Sequence, residues 1–276
     1  MKRIGYSILA SAALVALAAG LATATPNANG AYLKFRVFND APFSTVTSTN
    51  NYPALIQISD QNINASGFAN LHIWRFSDDG GANAAVFDNN SCFSFGADLV
   101  LDGTGHGEGG LQIAPWWAKD TDGLFNVRTT DGEIAVFGGR LPFFTFSNPA
   151  TPPPFGGGFS LQYVKGTTIR LEMIYNPNGL SSSNPATVEY RVHYGGNTYS
   201  SGLRPFDQGN PAEDPPYGLW GMLNDGRVGG HYKAFLGGVG NTVGLTATWS
   251  NISYTTCDKP VPAKSTTWGR MKSLYR

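Results

Sequence analysis

FSFGADLVLDGTGHGEGGLQIAPWWAKDTDGLFNVRTTDGEIAVFGGR, from Phe93 to Arg140, is the stretch from which the fold is read. Four alternating runs are separated by glycine-bearing turns. In the first, Phe93, Phe95, Ala97, Leu99 and Leu101 alternate with Ser94, Gly96, Asp98, Val100 and Asp102. In the second, Leu111 and Ile113 oppose Glu108, Gly110, Gln112 and Ala114; in the third, Phe125 and Val127 oppose Asn126 and Arg128. In the fourth, Ile134 and Val136 oppose Glu133, Ala135 and Phe137. A period of two is the mark of a strand with one face buried. Side chains change face at every residue, so Glu108, Gln112, Asn126, Arg128, Glu133 and Phe137 point off the core. If neighbouring strands pair in sequence order, much of that set shares one sheet face.

The same pattern extends outward. Tyr32 to Phe38 alternates Leu33, Phe35 and Val37 with Lys34 and Arg36, and Ala54 to Ser59 and Leu71 to Phe76 are further short strands. Ile169 to Tyr175 and Val188 to Tyr194 form a hairpin, with Glu172 and Arg191 as a cross-strand charge pair. Tyr217 to Met222 and Leu245 to Tyr254 are late strands. Residues 39–53 and 203–218 read as turn and loop, 224–232 as a polar segment loosened by glycine, and 148–158 as a Pro/Gly surface loop. No heptad, helical stripe or fixed-period repeat is present. The expectation is one all-β domain, residues 25–257, built as a two-sheet antiparallel sandwich or jelly roll.

The two ends differ from this body. Lys2 and Arg3 precede an apolar run from Ile8 to Leu21, and Ala22-Thr23-Ala24 offers small residues for cleavage, so residues 1–24 read as a secretory signal peptide. The run is too short and too rich in Ala and Gly for a membrane span. The mature chain is therefore expected outside the cytoplasm, in the periplasm, at the cell surface or in the medium of a bacterium. Residues 25–257 carry 12 Lys and Arg against 18 Asp and Glu, a net charge of −6, which argues against a nucleic-acid surface. Residues 258–276 carry a net +4 and read as a Pro-bearing linker followed by a short tail. That tail is either an envelope-docking or sorting element or a frayed end. Cys92 and Cys257 both fall in the exported part, where a disulfide can persist. A bridge between them would contribute roughly 4–5 kcal/mol in the chain-entropy model; the alternative is two free thiols.

Phe-x-Phe-x-Ala-Asp-Leu at 93–99 and Thr-Trp-Ser-Asn-Ile-Ser-Tyr at 248–254 resemble the concanavalin A-like lectin/glucanase sandwich, over most of residues 32–257. The resemblance implies two curved antiparallel sheets, with carbohydrate often bound on the concave one. Its catalytic members are matched poorly. Laminarinase-type hydrolases carry Glu-x-Asp-x-x-Glu on one strand, which is missing here. Alginate-lyase-like members carry Gln-Ile/Val-His, where this chain has Gln112-Ile113-Ala114.

The expected ligand is carbohydrate or an envelope glycan, held by Glu108, Gln112, Trp116, Trp117, Arg128, Glu133 and Trp220. Aromatic rings stack on sugar faces, and amide, acid and guanidinium groups bind hydroxyls. Two adjacent tryptophans in an alternating strand must put one ring outward. The enzyme alternative is polysaccharide cleavage by hydrolase or lyase, with Glu108 and Glu133 as the two carboxyls across the scissile bond and His106 in the turn before Glu108. A structural cell-surface role is the third. No cofactor is expected; Asp120-Thr121-Asp122-Gly123 resembles the start of a calcium loop but lacks its later ligands, and a hairpin turn accounts for it better.

Overall fold

The computed structural model describes residues 25–207, 209, 218–222 and 224–257. The signal segment 1–24 and the tail 258–276 lie outside the described residues. Two seven-stranded antiparallel sheets face each other. The first runs in the order β1 (Gly30–Lys34), β4 (Ala69–Ser77), β13 (Arg227–Phe235), β6 (Gly107–Ala114), β7 (Leu124–Arg128), β8 (Ile134–Phe137) and β9 (Phe144–Thr145). The second runs β12 (Asn197–Pro205), β11 (Thr187–Tyr194), β10 (Ile169–Asn176), β5 (Phe93–Asp102), β14 (Val243–Thr256), β3 (Leu55–Ile63) and β2 (Thr45–Asn51). The chain is an all-β jelly-roll sandwich, as its alternation implies.

The core lies between the sheets. From the first sheet it takes Trp74, Phe76, Leu111, Ile113, Phe125, Val127, Ile134 and Val136; from the second it takes Phe93, Phe95, Ala97, Leu99, Leu101 and Trp249. Burying each large apolar side chain contributes about 1.5–3 kcal/mol, and edge-on ring pairs such as Trp74–Trp249 (6.2 Å) and Phe76–Phe95 (5.6 Å) join the two layers. Trp249 Nε1 donates across the sandwich to the Gly110 carbonyl at 3.2 Å. Cys92 and Cys257 are joined in a disulfide that ties the entry of β5 to the end of β14. The bridge suits an oxidising, extracytoplasmic compartment, and among the described residues no helix is long and apolar enough to cross a membrane.

The condition set for Glu108, Gln112, Asn126, Arg128, Glu133 and Phe137 is met, because β6 to β9 pair in order in the first sheet; β5, which opens the stretch, pairs with β10 and β14 in the second. Several expectations are corrected. Residues 227–235 are not a loosened loop but a central strand. Gly229 and Gly230 mark close approach there: a Cβ on Gly229 would lie 2.2 Å from the Trp74 carbonyl oxygen, and one on Gly230 would lie 2.3 Å from Trp74 Nε1. Residues 45–51 form the edge strand β2, whose Thr, Ser and Asn side chains leave no alternation to read. Gly218 to Met222 form bends and turns rather than a strand; Tyr217 is outside the described residues. Glu172 and Arg191 are cross-strand neighbours, yet Arg191 takes Glu189 of its own strand at 2.7 Å, and Glu172 takes Arg170 of its own strand at 2.8 Å, with His193 across the strands at 3.3 Å. Two residues apart on one strand, those partners share a face.

Candidate functional site

The outward face of the first sheet is organised by register. One row across it is Arg75, Gly229, Gln112 and Leu124; the next is Ile73, His231, Gly110 and Asn126; the third is Leu71, Lys233, Glu108 and Arg128. The residues between these rows belong to the core, so each row points away from it. Glycine occupies one position in each of the first two rows, and side chains two strands apart meet across the gap. Arg75 reaches past Gly229 to Gln112, where an Nη donates to Oε1 at 2.8 Å. His231 reaches past Gly110 to Asn126, with Nε2 to Oδ1 at 3.0 Å.

Hydrogen bonds fix the state of the second row. Lys233 donates to Glu108 Oε1 at 2.5 Å and Asn126 Nδ2 donates to Glu108 Oε2 at 3.1 Å. An ion-paired carboxylate only accepts, so the Asn126 amide must present its NH2 to Glu108 and its oxygen to His231. That assignment places the imidazole proton on Nε2 and leaves Nδ1 with a lone pair. Nδ1 is buried and has no hydrogen-bond partner. Burial pushes the His231 pKa well below 6.5; the charges of Lys233 and Arg75 push the same way, and the Leu111 backbone opposes them. His231 is thus neutral at neutral pH.

Arg75 is the second unusual group. Its side chain is buried, and its guanidinium donates only to neutral oxygens: the carbonyls of Trp74, Gly230 and Lys119 and the Gln112 amide. Its Nε is buried without a partner. Burial lowers its pKa to about 9, against the pull of Asp120 and with the push of Arg227, so it stays charged at neutral pH. Arg75 lines a pocket of about 430 Å³ together with Tyr32, Lys34, Lys119, Asp120 and Arg227. There Lys34 is ion-paired with Asp120, and Lys119 and Arg227 with Asp225. Lys34, Lys119 and Arg227 each have a carboxylate partner; among the described residues Arg75 is hydrogen-bonded to none, Asp120 acting on it only through space.

The residues expected from the sequence are only partly gathered. Glu108 and Gln112 lie in these rows, and both are buried. Arg128 closes the third row but is held by Asp131 and Glu133 at 2.5 and 2.8 Å. Both acids and Arg128 remain part-exposed where β7 turns into β8. Trp116 and Trp117 are not in a strand. Pro115 ends β6 and they form a 3-10 turn, Trp116–Ala118, with Trp117 44% exposed and the rings edge-on at 5.7 Å. One ring does face solvent, through the turn rather than through alternation. The same turn carries Lys119, whose carbonyl accepts from Arg75, so the tryptophans border the Arg75 end. Trp220 is tied instead to the β10–β11 loop, donating to Leu180 O and accepting from Ala186 N. His106 sits in the β5–β6 turn, with Nδ1 3.4 Å from Thr129 Oγ1. Asp120 and Asp122 lie in the β6–β7 connection. Among the described residues no group of three His, Cys, Asp or Glu side chains is placed to hold a metal.

Arg75, His231 and Lys233 were not singled out from the sequence. The alternation His231-Tyr232-Lys233-Ala234-Phe235 was the available signal, masked by the glycines before it.

No protein-family model and no curated protein sequence matches the chain. Among solved structures the chain is similar to an alginate lyase from a Corynebacterium species, at 11% identity over 82% of this chain and 94% of the other, with a TM-score of 0.41. It is similar to a marine alginate lyase from Zobellia galactanivorans at 11% identity over 83% and 96%, TM-score 0.39. Lectin II from Ulex europaeus aligns at 10% identity over 83% and 94%, TM-score 0.33. At these identities and scores the likenesses assign no role to any residue of this chain.

Proposed function

We propose that this chain is an exported carbohydrate-binding β-sandwich protein, and that its ligand is an acidic polysaccharide bound at the outward face of the first sheet. Arg75 carries the reading. A buried cation with no carboxylate in hydrogen-bonding contact is costly; Asp120 acts on Arg75 only through space while paired with Lys34, and a carboxylate or sulfate of the ligand at the adjoining pocket would supply a direct partner. The exposed Trp117 ring, on the turn that leads into Lys119 of that pocket, is suited to stack on a sugar.

The test is binding of alginate, a uronate polymer, and of laminarin, a neutral glucan, to the wild type and to Arg75→Met and Trp117→Ala, each checked for folding by near-UV circular dichroism. Alginate binding that weakens in both variants is expected. Equal binding of laminarin, or alginate binding indifferent to Arg75→Met in a folded variant, would sink the acidic-ligand reading.

Catalysis is the second reading; the unprotonated Nδ1 of His231 would be its base, and because that atom is buried the outward rows would have to open for a substrate to reach it. With a uronate carboxyl held by Arg75, a neutral imidazole could take the proton from the adjacent carbon while the glycosidic C–O bond breaks and a C=C bond forms, the departing oxygen taking a proton from solvent. Release of ultraviolet-absorbing unsaturated sugar from alginate, abolished in His231→Gln, is its signature. Two-carboxylate hydrolysis is less well served, because Glu108 is ion-paired with Lys233 and Glu133 with Arg128.

A further inference from the structure

The opposite end of the same face is aromatic. Phe235 is the last residue of β13 and follows His231 and Lys233 at intervals of two, so it continues their outward line. Its ring lies 5.3 Å from that of Phe68, which is 56% exposed, and Phe68 stacks in turn on Phe38 at 6.2 Å. Phe68 immediately precedes β4 and is held there by Asp40, whose carboxylate accepts from the Phe68 and Ala69 amides at 2.8 and 3.2 Å. An exposed phenylalanine pinned by its own backbone is not an accident of a loose loop.

Beside this row is a pocket of about 340 Å³ between the β5–β6 and β13–β14 connections. Phe235, Leu236 and Val243 form its apolar side; His106, Thr104, Asn241 and Thr242 supply polar groups. The Phe235 amide donates to the His106 carbonyl at 2.9 Å, which sets the ring and the imidazole at the same mouth. An aromatic wall faced by hydroxyl, amide and imidazole groups suits a sugar, which has apolar C–H faces and a hydroxyl rim.

We propose that Phe235, Phe68 and His106 form a second sugar subsite, remote from Arg75 on the same face. The proposal rests on the carbohydrate reading above. Six residues of β13 separate the register partner of Arg75 from Phe235, roughly 20 Å of strand. A short oligosaccharide therefore occupies the Arg75 end alone, and a longer one engages both ends.

The experiment is calorimetric titration of the full-length mature protein with alginate oligosaccharides from two to eight units, for the wild type, Phe68→Ala, Phe235→Ala and His106→Ala. Thermal melts confirm folding; Phe68→Ala changes an exposed ring and serves as the safeguard if Phe235→Ala is unstable. Wild-type affinity is expected to rise with chain length. Phe68→Ala and Phe235→Ala are expected to lose about tenfold for the longest oligosaccharides, with disaccharide affinity unchanged. Length dependence that persists in the folded variants overturns the subsite and leaves the Arg75 reading standing. A wild type that binds no alginate oligosaccharide overturns both. Sedimentation that shows a wild-type dimer made monomeric by Phe68→Ala would assign the aromatic row to self-association and overturn the proposal.

Discussion

His231 and Asn126 stand on strands that are not neighbours, yet their side chains meet at 3.0 Å above Gly110. The glycine between them is what permits the contact. A Cβ at Gly110 would lie 1.9 Å from the Phe125 carbonyl oxygen and 3.3 Å from His231 Cε1. Gly110→Ala is therefore expected to destabilise the fold by about 1–3 kcal/mol, the usual range for overpacking. A urea midpoint equal to that of the wild type would show that the strands shift freely there.

The same contact makes stability depend on pH. The folded chain holds His231 neutral well below 6.5. The unfolded chain takes up that proton near the ordinary value of about 6.5. Below that pH the unfolded state binds more protons, so stability falls on acidification, by up to about 1.4 kcal/mol per pH unit from this group, and the full contribution is present only above it. His231→Gln should flatten the slope of unfolding free energy between about pH 6.5 and 5. An unchanged slope would show that the histidine is not held neutral.

Glu108 and Lys233 form the most buried ion pair in the outward rows, with side chains 8% and 11% exposed. Lys233→Met would leave the carboxylate without its counter-charge and is expected to cost about 3–5 kcal/mol. The double variant Glu108→Gln/Lys233→Met should recover most of that loss. A double-mutant cycle with no coupling between the two positions would contradict the pairing.

The Cys92–Cys257 bridge spans 165 residues of sequence. Reduction, or Cys257→Ser, should lower stability by about 2–5 kcal/mol, read as a shift of the denaturant midpoint with and without reductant. Indifference to reductant would mean that the backbone hydrogen bond from Cys257 to the Cys92 carbonyl at 2.9 Å already holds the end of β14.

Phe93 to Leu101 and Ile169 to Tyr175 were legible because each strand buries one face and exposes the other. Their predicted core sides are the observed ones. Beside them, β13 was not legible. Its two consecutive glycines erase the side-chain pattern, and their purpose, room for Trp74, is a relation to another strand. The edge strands β2 and β12 escaped for the opposite reason: they are polar or exposed on both faces, so period two carries no contrast.

The candidate site divides in the same way. Alternation put Glu108, Gln112 and Asn126 off the core, and the structure puts them in the outward rows. Nothing local to those strands pointed to Arg75, His231 or Lys233, which stand beside them only because β13 inserts between β4 and β6.

What the sequence determined by itself is a disulfide-capable, all-β sandwich and the outward or inward direction of each well-patterned strand, because that information is local and repeats every two residues. The tertiary structure alone decided which strands lie side by side. Through that, it decided that Arg75 is hydrogen-bonded to no carboxylate among the described residues, that the His231 proton sits on Nε2, and that Phe235 closes the same face. Strand order is set by long-range packing of side chains such as Trp74 and Trp249 between the sheets, and period-two alternation carries no record of it.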